Sequence, residues 1–410
     1  MKTLLERNVN LYPKYRAAAD AMAWLPVFFL YFSERLTLSE VLLLEAVYYV
    51  AVVLIEVPSG YMSDRFGRCR TLLLSCLAII AAYLFFLFSG HFSGLAVGQC
   101  LLAAGIALRS GTDTAFHYES LQALNRQQEY GDREAIAGKY GFVSTAVAAL
   151  AGGILGSINL AAAYWLSLIT AGISLYVVTR FSEPHKKDDS SATSSDGFTA
   201  QLRHCISYLK HPRIKWIFTY TVFMFAIVHI PYELYQPYLS LLDKRNQLAG
   251  MSAPITAGIL FATTALVASL ASAYSMQWQR LIGFMPLLIV AAIIELAIIF
   301  AMAILLHPLI AITLIFRSGP MAVIQAPVNA ALAPLIENRH RATFLSIKSL
   351  ASRLTFAILL LVFSLLTTDG HSTDWNDLSL LLRVSVAVGV VGLVYLYFDA
   401  RKLTDETAAG

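Results

Sequence analysis

Arg109 and Arg317 each lie near the middle of a long apolar run. An ionisable side chain in hydrocarbon costs at least about 2.5 to 3.5 kcal/mol, so each needs a partner, a watery cavity or a function. A guanidinium is a planar fork of donors that matches carboxylate or phosphate, and two of them could clamp an anionic molecule from two sides. Internal pairing is the alternative, for instance of Arg109 with Asp113 one helical turn away. A second group is His229 and Glu233, four residues apart and therefore on one helical face, with Pro231 between them and Tyr232, Tyr235, Gln236 and Tyr238 nearby. A carboxyl and an imidazole so placed are the groups that take up and release a proton near neutral pH, with Glu233 as the leading carrier. A polar lip open to water at the outer end of the helix is the competing reading. Asp20, near the inner end of the first apolar run, either complements a helix dipole or exchanges a proton. Glu56 and Lys348 lie at equal depth, about 9 to 10 Å from the inner ends of their runs at 1.5 Å per residue, which predicts an ion pair between two halves. Arg353, Glu45 and Glu295 are deeper, and their spacing assigns them no role. Arg383 can snorkel outward.

The elements that carry these charges follow from composition. Of 410 residues, 58% are apolar and 14% charged, where a soluble protein runs near 45–50% and about 25%. An ordinary soluble enzyme is excluded. A transmembrane helix needs about 20 apolar residues, and runs bounded by charges, Gly and Pro fall at 16–34, 38–61, 71–89, 94–118, 138–158, 160–181, 213–240, 253–273, 281–305, 308–331, 343–367 and 380–399. The fold class expected is an all-α membrane protein of twelve transmembrane helices. Of the 30 Lys and Arg, 22 fall on one side of this topology and only Arg35, Lys244 and Arg245 on the other, so the positive-inside rule puts both termini in the cytoplasm and the chain in an inner or plasma membrane. The net charge of +4 therefore reflects membrane topology, and nucleic acid is not an expected partner. The residues before the first run hold too little unbroken apolar sequence for a secretory signal. Cys69, Cys76, Cys100 and Cys205 form no CxxC or Cys/His cluster, so neither a metal site nor a disulfide framework is expected. No G-x-x-x-x-G-K-[ST] accompanies the spans, so ATP is not the expected energy source. With neither HExxH nor GxSxG present, no catalytic residues and no cofactor are assigned.

The spans fall into two similar sets. Arg109-Ser110-Gly111 in the fourth recurs as Arg317-Ser318-Gly319 in the tenth, and Arg133 recurs as Arg341, both at an offset of 208 residues. A shared offset in spans of the same ordinal place reads as duplication, the arrangement of a secondary transporter with its site at the repeat interface. The domains expected are a first six-helix half (1–181), a cytoplasmic linker with an amphipathic helix (182–212) and a second six-helix half (213–410). The Ser- and charge-rich part of the linker cannot fold alone. After it Phe198, Leu202, Cys205, Ile206 and Leu209 recur at helical spacing, which describes a helix on the inner membrane surface or, equally, one packed on the second half.

The loop after the second span reads Gly60-Tyr61-Met62-Ser63-Asp64-Arg65-Phe66-Gly67-Arg68-Cys69-Arg70. Small Gly60 lets helices approach, Asp64 can face the N-terminal end of a neighbouring helix, and Gly67 permits a tight turn. Arg65 and Arg68 can pair with acids on adjacent helices, with Glu119 as the candidate. This loop resembles the G-x-x-x-D-R-x-G-R-x-x signature of the major facilitator superfamily, and spacing, position and span count agree. The resemblance implies two pseudo-symmetric halves and alternating access, with the loop as an inner gate. It also implies a central cavity lined by spans four and ten, so Arg109, Arg317, Tyr232, Tyr235 and Gln236 are the substrate-binding candidates. Glu233, His229, Asp113 and Asp20 are the candidates for proton coupling. The corresponding loop of the second half, Ala273 to Arg280, lacks the signature. Arg341-Ala342-Thr343-Phe344-Leu345-Ser346, with Asp113 and Tyr118-Glu119-Ser120, looks like a bacterial efflux-type branch. The span-five run Ala151-Gly152-Gly153-Ile154-Leu155-Gly156 has no proline where family antiporters carry G-P-x-x-G-G. The expected function is proton-coupled export of a small organic, anionic or metal-chelating, compound by a monomer in the lipid bilayer. Proton-coupled uptake of a small carboxylate, and a non-transporting sensor or scaffold, are the alternatives.

Overall fold

The computed structural model describes residues 2–184, 198–332, 334–367 and 374–409. The described residues form α1 (Lys2–Asp20), α2 (Phe28–Ser33), α3 (Leu38–Phe66), α4 (Arg68–Phe88), α5 (Phe92–Arg109), α6 (Thr112–Ala123), α7 (Tyr130–Ile158), α8 (Leu160–Val178), α9 (Phe198–Ser207), α10 (Pro212–Lys244), α11 (Ala253–Ile282), α12 (Phe284–Ile304), α13 (Pro308–Thr313), α14 (Gly319–Leu332), α15 (Asn338–Leu366) and α16 (Trp375–Ala409). Among them eleven stretches are long and apolar enough to cross a membrane. The remaining expected crossing, 16–34, is broken: α1 ends at Asp20 and α2 begins at Phe28. Most of the expected linker, 185–197, lies outside the described residues.

Two compact units divide the chain. One comprises Met1–Ser191 with Met251–Ala262, the other Ala192–Gly250 with Thr263–Gly410. In the first unit, α5 packs against α3 and α4, and α1 packs against α7 and α8. Tyr12, Tyr15, Leu72, Phe116 and Phe181 form one buried cluster. In the second unit, α12 packs on α16, and α10 on α15 and α16. Its buried aromatics satisfy their polar tips on backbone: Trp216 Nε1–H donates to the Leu396 carbonyl at 2.9 Å and the Tyr220 hydroxyl to that of Leu288 at 2.7 Å. A buried indole or phenol usually finds such a partner. α9 packs against α15 with Cys205 buried and Ile206 exposed.

Three apolar runs that read as single helices are interrupted. In the first, Pro26 cannot donate, and side chains of neighbouring helices take over the backbone groups the break releases. Thr145 Oγ1 donates to the Asp20 carbonyl at 2.9 Å, Thr170 Oγ1 to that of Ala21 at 2.8 Å, and the Trp24 N–H donates to Ser167 Oγ at 3.1 Å. Non-helical backbone at membrane depth persists only where protein satisfies it in this way. Gly152 of the span-five glycine run makes the approach possible, because a Cβ there would overlap the Ala23 carbonyl. The other two interruptions fall on the repeated tripeptide: Ser110 and Gly111 separate α5 from α6, and Arg317 and Ser318 precede α14 after a 3₁₀ turn at Leu314–Phe316.

Candidate functional site

Each break brings charges together. In the first unit, Arg109 Nη1 lies 3.0 Å from Asp20 Oδ1, Arg16 Nη2 lies 3.2 Å from Asp20 Oδ2, and Arg16 Nη1 donates to Asp113 Oδ2 at 3.0 Å. Two guanidiniums and two carboxylates thus close a balanced chain, Arg109–Asp20–Arg16–Asp113. Within this chain, the ion partner of Arg109 is Asp20, and Asp113 pairs with Arg16. The geometry follows from the break in the first span, since ending α1 at Asp20 leaves that carboxylate beside the end of α5. A small cavity of about 20 Å³, the volume of one water, sits beside Arg109 among Tyr15, Ser75, Ser167, Thr170 and Ser174.

In the second unit Arg317 is 2% exposed. Its Nη1 donates to Thr264 Oγ1 at 3.1 Å and to the Leu314 carbonyl at 3.4 Å, and the guanidinium lies over the Tyr235 ring, 4.3 Å from its centroid. Cation–π contacts of this kind are worth more where water is excluded. Glu295 on α12 is fully buried and within electrostatic reach of Arg317, but neither of its carboxylate oxygens has a hydrogen-bond partner among the described residues. Arg317 forms no ion pair among the described residues. Glu233 and Gln236 are buried on α10 beside Tyr235, and Gln236 Nε2 reaches the Tyr235 hydroxyl at 3.3 Å. His229 donates Nδ1–H to the Phe225 carbonyl one turn back at 2.7 Å and stacks on the Phe225 ring. Tyr232 meets its edge at 5.9 Å.

At the signature loop Gly67 turns with φ +94° between α3 and α4. Arg68 donates through Nε and Nη2 to Glu119 on α6 at 3.1 and 2.9 Å, and through Nη1 to Ser63 Oγ at 2.7 Å. The side chains of Gly60 and Asp64 lie outside the described ones. Arg65 is exposed. Glu183, just after the sixth span, accepts the N–H groups of Arg68 and Cys69 at 2.6 and 2.9 Å and so caps α4. Glu56 on α3 and Lys348 on α15 are each partly buried, one in each unit.

Four participants escape a sequence reading: Arg16, Thr264, Glu183 and the partner of His117, which is Glu134. For one of them a signal was present, because Arg16 and Asp20 are spaced one helical turn apart. Thr264 and Glu183 carry no local signal, since their roles come from packing across helices.

The model of the family described as Major Facilitator Superfamily matches residues 17–358. No curated protein matches the chain in sequence. Among solved structures it resembles the nucleoside transporter NupG (12% identity, TM-score 0.77, covering 97% of this chain and 98% of that one). A D-xylose-proton symporter is similar at 12% identity and TM-score 0.68, covering 97% and 98%. A bacterial homologue of the human lysosomal transporter Spinster, inward-facing and unoccupied, is similar at 15% identity and TM-score 0.70, covering 97% and 95%. At these identities the likeness is one of fold.

Proposed function

This chain belongs to the major facilitator superfamily, a family of membrane transporters of small molecules, and from that premise we propose that it is a proton-coupled secondary transporter of a small organic anion. The observation that carries the reading is Arg317, a buried guanidinium at a helix break with a phenol and a hydroxyl around it and no ion pair among the described residues. A buried cation left without a counter-charge is costly, and a substrate carboxylate or phosphate supplies one in fork geometry. Tyr235, Tyr232 and Gln236 complete the substrate surface. Glu295 and Glu233 are its proton carriers, with Asp20 and Asp113 serving the first half. Gly60, Asp64, Arg65, Gly67 and Arg68, with Glu119, form the inner gate, to which Glu56 and Lys348 contribute one charge from each half. The protein is a monomer of the inner membrane with both termini in the cytoplasm.

Export is the first reading of direction, supported by the efflux-type resemblance at Arg341 to Ser346. A second reading, uptake by symport, is favoured by the charges around Arg317. A proton on Glu295 removes the carboxylate charge that offsets Arg317, so proton and anion bind together, and linkage makes that coupling reciprocal.

Everted vesicles loaded with a pH dye separate these outcomes, using benzoate, succinate and glycerol 3-phosphate as anions and uridine, xylose and tetraphenylphosphonium as controls. Alkalinisation of an energised lumen on adding an anion indicates antiport. Acidification of a de-energised lumen indicates symport. Neither signal from any anion, with correctly inserted protein, sinks the proposal.

A further inference from the structure

The geometry points to a second proton-exchange site in the first half, the imidazole–carboxylate pair His117–Glu134, through which the buried Asp113 carboxyl trades protons with water. The inference rests on the proton-coupled reading. His117 on α6 is 1% exposed, and its Nδ1 lies 2.7 Å from Glu134 Oε2 on α7. Its other ring nitrogen has no hydrogen-bond partner among the described residues. The Glu134 side chain is 27% exposed, so the pair has one end in the interior and one at the protein surface.

The groups around it form a string. Asp113 lies one turn along α6 from His117, about 6 Å by helical rise, and within electrostatic reach of it. Beyond Asp113, Arg16 and Arg109 are fixed ion partners of Asp113 and Asp20 that keep their own protons, so the exchange ends at Asp113. Among the described residues, the charged or titratable neighbours of the imidazole come from three helices: Tyr12 from α1, Asp113 from α6, and Tyr130, Arg133 and Glu134 from α7. Tyr12 stacks on the imidazole at 4.0 Å and burial holds its phenol above the ordinary range, so it shields the ring and keeps its own proton. A relay needs a group on the side of the proton's source and another on the side of its destination, and His117 lies between the part-exposed Glu134 in contact with it and the buried Asp113 within electrostatic reach.

The test is titration of the full-length protein, labelled on histidine and held in nanodiscs, by NMR. The chain has nine histidines, and the His117 resonance is the one lost in His117→Gln, with His117→Asn as a second assignment variant should the first fail to insert. The expected result is a resonance that titrates and whose midpoint moves in Glu134→Gln and again in Asp113→Asn. A resonance that does not titrate, or a midpoint unmoved in Glu134→Gln, overturns the inference. With whichever anion moves protons in the vesicle assay, Glu134→Gln should slow gradient-driven flux several-fold while leaving gradient-free substrate exchange intact. Equal loss of both would mark a structural role. A wild-type protein that moves no protons would defeat the proton-coupled reading, and the histidine titration would then decide the exchange site alone.

Discussion

Arg109 and Arg317 occupy the same place in a repeated tripeptide and the same kind of helix interruption, yet their surroundings differ in kind. Around Arg109 every charge is answered: Asp20 and Arg16 continue a chain that ends on Asp113, and the sum is zero. Around Arg317 the answers are a ring face, a hydroxyl and a carbonyl, with Glu295 in reach but not in contact. A duplicated element has become a closed network in one half and an open site in the other. The difference teaches that a charge's function depends on what remains unpaired around it. Arg109 sits in a closed set of ion pairs beside the broken first span, whereas Arg317 is buried with no ion pair among the described residues.

The sharpest way to break this comparison is to remove one partner from the closed network. Arg109→Gln leaves Asp20 short of a counter-charge and should lower stability by about 3 kcal/mol, read as a large drop in apparent Tm. The double variant with Asp20→Asn should recover most of it, and a single variant as stable as wild type would dissolve the contrast. Arg317→Ala should leave Tm nearer to wild type while anion-dependent flux falls about 100-fold, equivalent to about 2.7 kcal/mol. Parallel losses of stability at the two arginines would show that both are structural. Gly152→Ala should cost about 2 kcal/mol by overpacking the broken span against α7, and thermal unfolding in detergent checks whether the first half's network depends on that approach. The smallest effect is expected at the gate. Glu119→Gln removes the ion partner of Arg68, a part-exposed pair worth less than about 1 kcal/mol, so stability should hardly change while flux does. Unchanged flux in that variant would reduce the loop to a topology anchor.

Much of this architecture was legible before any coordinates. The apolar runs, the signature loop and the repeated tripeptide set the order of the membrane segments and their helical character, because a segment that must satisfy its own backbone in hydrocarbon has little choice but to be helical. The arginine in each repeat also stood out, since a charge at mid-span needs an explanation. The breaks were not legible: 16–34 reads as one apolar run, and only Pro26 marks it locally. The pairing of Arg109 was not legible either, because Asp113 one turn away is as good a sequence candidate as Asp20, 89 positions earlier.

Sequence by itself determined which residues had to be in the membrane and which of them would be costly there. Hydropathy and periodicity are local properties, and one helical turn of context is enough to read them. Tertiary structure alone decided which of those costs are met inside the protein. Asp20 reaches Arg109 because α1 stops where Gly152 lets it stop, Thr264 reaches Arg317 across two helices, and Glu295 stops short of contact. Partnership of this kind depends on distances between separate helices, to which no spacing along the chain corresponds.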